Sequence, residues 1–348
     1  MMRLLCAIKL IFILAVMQVY ASEIASNHIV VDGRSYSSMQ AVEKAIKNYS
    51  QVYIGPGTYT EGLHIKANNV TISGSSGTHF QGAVIKGKGT FVVSGNDTRI
   101  ENLECSLVEV PSQNGACIRQ EGKNLTVFGV YFHDAEQGIL QNPNTGSLTV
   151  QFSRFENLGK SGRAHAIYAQ GDTLLISDSE FIASKDEGHE IKSRAKNTHI
   201  TNSLIASKNS RDSRLIDVPN GGIFILENCI LQQGNATANR NAIGYALELK
   251  EEYKNKRKHA VLIQNNIIIL ERERGNLLFS SGKYKFAGKI TIQNNVLIGK
   301  IVDIERYRDN NTHFTDRNHA RLKNETLPQV SQLTQLIDLL TGANEEAL

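Results

Sequence analysis

The segments HAIYAQ (165–170), HEIKSR (189–194), RLIDVP (214–219) and NAIGYA (241–246) share one pattern, a central isoleucine inside a short strand-like stretch. GACIRQ around Ile118 and QGILQN around Ile139 extend the series toward the N-terminus. Successive central isoleucines lie 21, 28, 24, 25 and 27 residues apart. A second motif runs in step. It reads LTVFGVYF from Leu125, LTVQFSRF from Leu148, LLISDSEF from Leu174, THITNSLI from Thr198, FILENCIL from Phe224, VLIQNNII from Val261 and ITIQNNVL from Ile290. Each copy alternates apolar and polar residues, bends at a polar pair and resumes on an apolar residue.

Period-two segments recurring at this spacing, separated by Gly, Asn and Ser turns, describe a coil that adds one rung per repeat. Helical repeats would show period 3.6, and a propeller would need about four strands per 40-odd residues. The expected fold is all-β, a right-handed single-stranded parallel β-helix. Rungs pair at about 4.8 Å, so isoleucine stacks on isoleucine. Asn202, Asn228, Asn265 and Asn294 occupy one place in their copies and are expected to hydrogen-bond up the stack.

Working outward, both ends need caps, because an open rung exposes unpaired backbone. Ser37 to Lys47 reads as an amphipathic helix with Met39, Val42 and Ile46 on one face, followed by the strand-turn run VYIGPGTYTEGLHI, residues 52–65. Leu333, Leu336, Ile337 and Leu340 follow helical spacing and are expected to cover the last rung. The organisation is then a signal peptide (1–21), an N-terminal cap and first rung (22–66), the parallel β-helix (67–308), and a polar loop with a C-terminal helix (309–348).

The signal peptide rests on Arg3, the apolar stretch Leu4 to Met17 interrupted by Lys9, and the cleavage site Val19-Tyr20-Ala21. It is too short to span a bilayer, so a secreted or periplasmic protein without a membrane span is expected. The chain has 38 Lys and Arg against 34 Asp and Glu, and losing the leader removes Arg3 and Lys9. The mature chain is near neutral, which gives no global argument for nucleic acid as a partner. A monomer is expected. Cys6 leaves with the leader. Cys105 and Cys117 are able to pair in an oxidising compartment, and Cys229 reads as a buried free thiol.

The chain resembles the pectin-lyase-like superfamily of parallel β-helix proteins over residues 28 to 310. The Ala45-Ile46 helix end followed by IGPGTYTE (54–61) carries the N-terminal part of that resemblance. HAIYAQ, GHEIKSRA (188–195), IDVPNGG (216–222) and LQQG (231–234) are similar to a bacterial group described only as right-handed β-helix repeat proteins. Polysaccharide lyases, hydrolases and epimerases make up most of the superfamily. Glu190-Ile191, Lys192 and Arg214 also resemble the Glu-Ile, lysine and arginine of the calcium-dependent lyases related to chondroitinase B. There the lysine lies further beyond the Glu-Ile pair and the arginine sits in a Leu-Arg-His-Gly context absent here. Through this resemblance Ca2+ is the one cofactor to consider. The residues themselves show no metal-ligand set.

Neighbours of an inward residue point outward in a strand. Taking the isoleucines as inward, the outward ladder holds Tyr168, then Glu190 and Lys192, then Leu215 and Asp217, with Arg194 beyond. His165, His189 and Arg214 begin three successive strands. This polar constellation suits an acidic polysaccharide. Removing the proton α to a uronate carboxylate needs that carboxylate neutralised, a base near the carbon and an acid for the departing oxygen. Arg194 or Arg214 would neutralise, Lys192 would be the base, and Tyr168 or His189 the acid. His165, Glu190 and Asp217 would contact substrate. The sequence thus favours a lyase or C5-epimerase working on the outward face of rungs 165–217. The plainer alternative makes Lys192, Glu190 and Asp217 an ordinary cross-rung ion pair, on a non-catalytic polysaccharide-binding or surface-structural β-helix. A glycoside hydrolase using Glu190 and Asp217 as its two carboxyls is a further alternative.

Overall fold

A strand with period two buries one face, so each repeat needs other strands to close around its apolar side. The computed structural model describes residues 27–251, 256–283, 288–322 and 326–342. The leader expected over 1–21 lies outside them. Each coil supplies one strand to each of three sheets, of twelve, eleven and nine strands. The opening hairpin, Ile29–Val31 with Arg34–Tyr36, is antiparallel and docks antiparallel on Gln51–Ile54. The strands that follow pair in parallel, which makes the chain an all-β parallel β-helix of about nine coils.

The isoleucine ladder forms in register. Ile118, Ile139, Ile167, Ile191, Ile216 and Ile243 are Cα partners in sequence order, and each is fully buried. Phe91 continues the column below and Phe279 above. The second motif stacks likewise, as Val127, Val150, Ile176, Ile200, Leu226, Ile263 and Ile292. The eleven-stranded sheet adds a column of stacked rings, Phe132, Phe155 and Phe181, with centroids 4.6 Å apart at each step. One continuous core results.

The polar corner works differently from expectation. Asn202, Asn228, Asn265 and Asn294 have φ of 47–57° and supply a left-handed bend, which Asn tolerates better than most residues. The side-chain ladder belongs to the residue after each of them. The Ser153 and Ser179 N–H groups donate to the Ser179 and Ser203 hydroxyls. Cys229 N–H donates to Asn266 Oδ1 at 2.8 Å, Asn266 N–H to Asn295 Oδ1 at 3.0 Å, and Asn295 N–H to Asn311 Oδ1 at 3.0 Å. The bend turns the second residue of the pair inward. Cys229 therefore occupies a rung of this ladder as a buried free thiol. Cys105 and Cys117 are disulfide-bonded.

At the N-terminal end, the helix Met39–Ala45 is capped by Ser38 and buries Met39 and Val42. The C-terminal helix, Leu333–Thr341, does not cover the last rung. Leu333, Leu336, Ile337 and Leu340 pack on Ile267, Ile269, Val296 and Ile298, on the outside of the eleven-stranded sheet. Those strands are apolar on both faces, so the helix goes where uncovered apolar surface is. Ile301, Ile304 and Tyr307 join the end of the main core instead. Within the expected polar loop, Thr312–Phe314 adds the outermost strand of that sheet. Among the described residues no helix is long and apolar enough to cross a membrane.

The division of labour at the corner is testable. Asn295→Ala strands the buried Asn266 N–H and should cost about 1–3 kcal/mol. Asn294→Gly keeps the left-handed bend and should change stability by only a few tenths of a kcal/mol or so. Urea denaturation of both variants measures the difference; equal losses would contradict the assignment.

Candidate functional site

Register builds the site. Tyr168 pairs with Lys192, Lys192 with Asp217 and Asp217 with Gly244, so four consecutive rungs of the nine-stranded sheet place one position each in a single outward column. Arg119 and Leu140 continue the column below Tyr168.

Asp217 is the hub. Its side chain is almost fully buried, with Arg214 Nη1 3.5 Å from Oδ1 and with His189 Nε2 and Lys192 Nζ 3.7 and 3.9 Å from Oδ2. Burial pushes its carboxyl up, against the lowering pull of Arg214 and Lys192. Oδ1 and Arg214 Nε are buried without a hydrogen-bond partner. Gly244 makes room for this arrangement, because a Cβ there would lie 2.7 Å from Asp217 Oδ1 and 2.8 Å from Arg214 Cδ.

Arg194 frames the other side. Its Nε donates to Tyr168 Oη at 2.8 Å, Nη1 to Asn220 Oδ1 at 2.6 Å and Nη2 to Glu248 Oε2 at 2.5 Å. Lys192 Nζ lies 3.8 Å from Glu248 Oε1 and 5.5 Å from the Tyr168 ring centre. Burial alone would raise the Glu248 carboxyl, but the Arg194 hydrogen bond, with the Arg194 and Lys192 charges, holds it below the ordinary carboxylate range. Lys192 thus meets acids on two sides, Asp217 and Glu248.

The two histidines lie underneath. His165 Nδ1 accepts the His189 N–H at 3.1 Å, the rings stack at 4.8 Å, and His189 Nδ1 accepts the Arg214 N–H at 3.0 Å. Burial and the Lys192 and Arg214 charges push His189 down to about 3. A neutral ring accepting at Nδ1 carries its proton on Nε2, the atom that faces Asp217.

Four expectations need correction. Glu190 is not on the outward face. It is fully buried, and its two oxygens accept from the Ser184 N–H and hydroxyl, each at 2.7 Å. Leu215 likewise lies in the core. The strands begin at Ile191 and Ile216, so the preceding residue still belongs to a bend, where alternation does not hold. His165 and Asp217, 1% exposed each, lie too deep for broad contact with a sugar. Glu190 also does not fit a surface Ca2+ ligand, and it cannot form a hydrolase pair with Asp217. The half-buried residues that face outward are Tyr168, Lys192, Arg194 and Arg214.

Sequence reasoning missed Glu248, Asn220 and Gly244. Glu248 and Asn220 come from loops, where strand alternation has no reach. Gly244 was visible as the copy whose outward position is glycine, after Arg119, Leu140, Tyr168, Lys192 and Asp217.

Behind the sheet, Glu190 faces a second buried acid, Asp212, which accepts from the Ser207 and Thr237 hydroxyls at 2.6 Å each. Burial, then the Asp212 charge, pushes Glu190 up to about 8, against the Ser184 hydrogen bonds. A carboxyl raised in the folded state binds more protons than in the unfolded chain, so its stabilisation is full below about 4.5 and is lost as pH rises through 8. Glu190→Gln removes that loss. Its melting temperature relative to the parent should climb steadily from pH 5 to pH 8.5, at most about 1.4 kcal/mol per unit for one proton. A pH-independent difference in differential scanning calorimetry would contradict the raised carboxyl.

No family model matches the chain, and no curated protein matches it. Among solved structures it is similar to ORF18 of Geobacillus virus E2, at 12% identity and a TM-score of 0.41, over 76% of this chain and 57% of that one. It is also similar to the alginate lyase AlyF-OU02, solved in complex with G6, at 14% identity and a TM-score of 0.41, over 74% of this chain and 68% of that one. The chain therefore spans little more than half the length of the first of these.

Proposed function

We propose that this chain is an exported, monomeric protein that binds an acidic polysaccharide along the outward face of residues 165–217 and acts on it as a lyase or C5-epimerase. The observation that carries the reading is the in-register column Tyr168, Lys192, Asp217 with Arg194 and Arg214 beside it. Lys192, Arg194 and Arg214 outnumber Asp217 and Glu248, and the histidines beneath add no charge at neutral pH. A uronate carboxylate complements the excess. The leader and the Cys105–Cys117 disulfide support an oxidising compartment, secreted or periplasmic.

The geometry shifts the roles. Lys192 and Arg214 pair the uronate carboxylate, which makes the α-proton removable. Tyr168 becomes the proton-transfer group. Arg194 already donates to its oxygen, which leaves that oxygen's other lone pairs to accept a proton when the phenol is ionised. The ionised Tyr168 oxygen takes the α-proton and leaves an electron pair on the uronate. In a lyase that pair forms the ring double bond, the glycosidic C–O bond breaks, and the departing oxygen takes the proton from Tyr168, which returns to its ionised form. In an epimerase a water on the opposite face returns a proton to the same carbon.

The test incubates the mature protein with alginate, pectate and glycosaminoglycans, following unsaturated product by absorbance and the uronate epimer ratio by NMR. Product or epimer change is expected with at least one polymer. Tyr168→Phe should lower kcat by roughly 10²–10⁴-fold at an unchanged melting temperature. Lys192→Ala should weaken substrate binding, and added salt should weaken it further. Binding without turnover on any polymer would leave only the polysaccharide-binding reading, and no binding would remove both.

A further inference from the structure

We propose that His79, Glu104 and His133, on the outer face of the eleven-stranded sheet, form a binding site for a divalent first-row transition-metal ion of the Zn2+ type. The three residues come from successive coils, on the strands Thr78–Gln81, Glu104–Ser106 and Tyr131–His133. Stacking brings them together across 54 residues of sequence. Their ligand atoms all lie within 4.8 Å of one another. Glu104 Oε1 is 2.8 Å from His133 Nε2 and 3.5 Å from His79 Nε2. Two donors bound to one Zn2+ at about 2.0–2.2 Å sit a little over 3 Å apart, so a small inward movement of His79 closes the set.

The surroundings are those a metal-binding histidine uses. His133 Nδ1 lies 2.7 Å from Asp134 Oδ2, and Asn157 donates to the other Asp134 oxygen. The Tyr131 ring stacks on His133 at 4.4 Å and fixes its plane. A carboxylate that accepts from Nδ1 orients the ring and leaves the Nε2 lone pair for a metal. Both nitrogens of His133 face carboxylates, an arrangement that suits either a doubly protonated ring or a ring with a metal ion at Nε2. With the proton on Nδ1, a cation at Nε2 satisfies both acids at once. Ser106 Oγ lies 2.7 Å from His79 Nε2.

Donor chemistry selects the ion. Two imidazoles and one carboxylate suit Zn2+, Co2+, Ni2+ or Cu2+, whereas Ca2+ and Mg2+ take oxygen ligands. The side chains are 17–36% exposed, so an ion enters from solution and keeps at least one position for water or another ligand. None of these residues belongs to the Tyr168 column, so the proposal stands or falls separately from the proposed activity.

Calorimetric titration of the tag-free, chelator-treated full chain with ZnCl2 tests it. One Zn2+ per chain is expected, with no binding of Ca2+ or Mg2+ at the same concentrations. His79→Ala and His133→Ala should abolish binding, and Asp134→Asn should weaken it about 10–100-fold. Electron paramagnetic resonance of the unmutated chain loaded with Cu2+ should show hyperfine coupling to two imidazole nitrogens, which does not depend on any variant folding. Absence of Zn2+ binding, unchanged affinity in both histidine variants, or a Cu2+ spectrum without nitrogen coupling would each overturn the proposal.

Discussion

Parallel, in-register stacking of one coil on the next is the constraint from which the rest of this molecule follows. Each residue has its Cα partner one repeat further along the chain. Substituting an inward isoleucine therefore disturbs a column as well as a contact. Large-to-small changes in such columns leave a cavity with the core rows above and below it fixed, where little relaxation is available. The same rule fixes the corner. From Asn102 to Asn294 a left-handed residue bends each coil at the same place, and from Ser153 onward the residue behind it accepts a buried N–H from the coil below. Serine, cysteine and asparagine all occur there, because each brings a small polar or polarisable side chain to the same spot.

Stacking concentrates chemistry as readily as it stacks isoleucines. Residues 24 or 25 apart in sequence become neighbours with no further folding decision, which is how Tyr168, Lys192 and Asp217 align. The alignment carries a cost. Asp217 is buried with one oxygen that has an ion-pair contact but no hydrogen bond, and Arg214 Nε likewise lacks a hydrogen bond. An unsatisfied buried polar atom costs on the order of 1–3 kcal/mol. Glycine at 244 lets the Asp217 and Arg214 side chains lie directly over its backbone, where a Cβ would collide with both.

Legibility in the sequence tracked regularity. The isoleucine and valine columns, the N-terminal helix and the buried Cys229 were readable, since repeat spacing and period two determine them. Two errors share a physical origin. Glu190 and Leu215 were placed outward by extending alternation one residue past the strand, into a bend where it no longer applies. Asn202 and its counterparts were given a hydrogen-bonding role that belongs to their successors, because left-handed geometry is invisible in composition alone. The C-terminal helix was recognised by its spacing but misplaced. Where an amphipathic helix docks depends on which outer face is apolar, and Ile267, Ile269, Val296 and Ile298 show that only once their neighbours Ile268 and Leu297 are known to point inward.

Glu248 shows why a sheet alone does not finish a site. It reaches Arg194 and Lys192 from a loop more than fifty residues beyond Arg194. Without it, Arg194 would keep only Tyr168 and Asn220 as side-chain partners, and the cationic excess around the column would grow. Glu248 therefore lowers the local positive charge while fixing the guanidinium that holds the Tyr168 oxygen. Loops of this kind can change length and charge without disturbing the stacked coils, since they add no inward residue. The columns supply a rigid row of side chains at fixed spacing. The loop decides how much positive charge that row presents, and under the proposed function how strongly it would attract an acidic polymer over a neutral one.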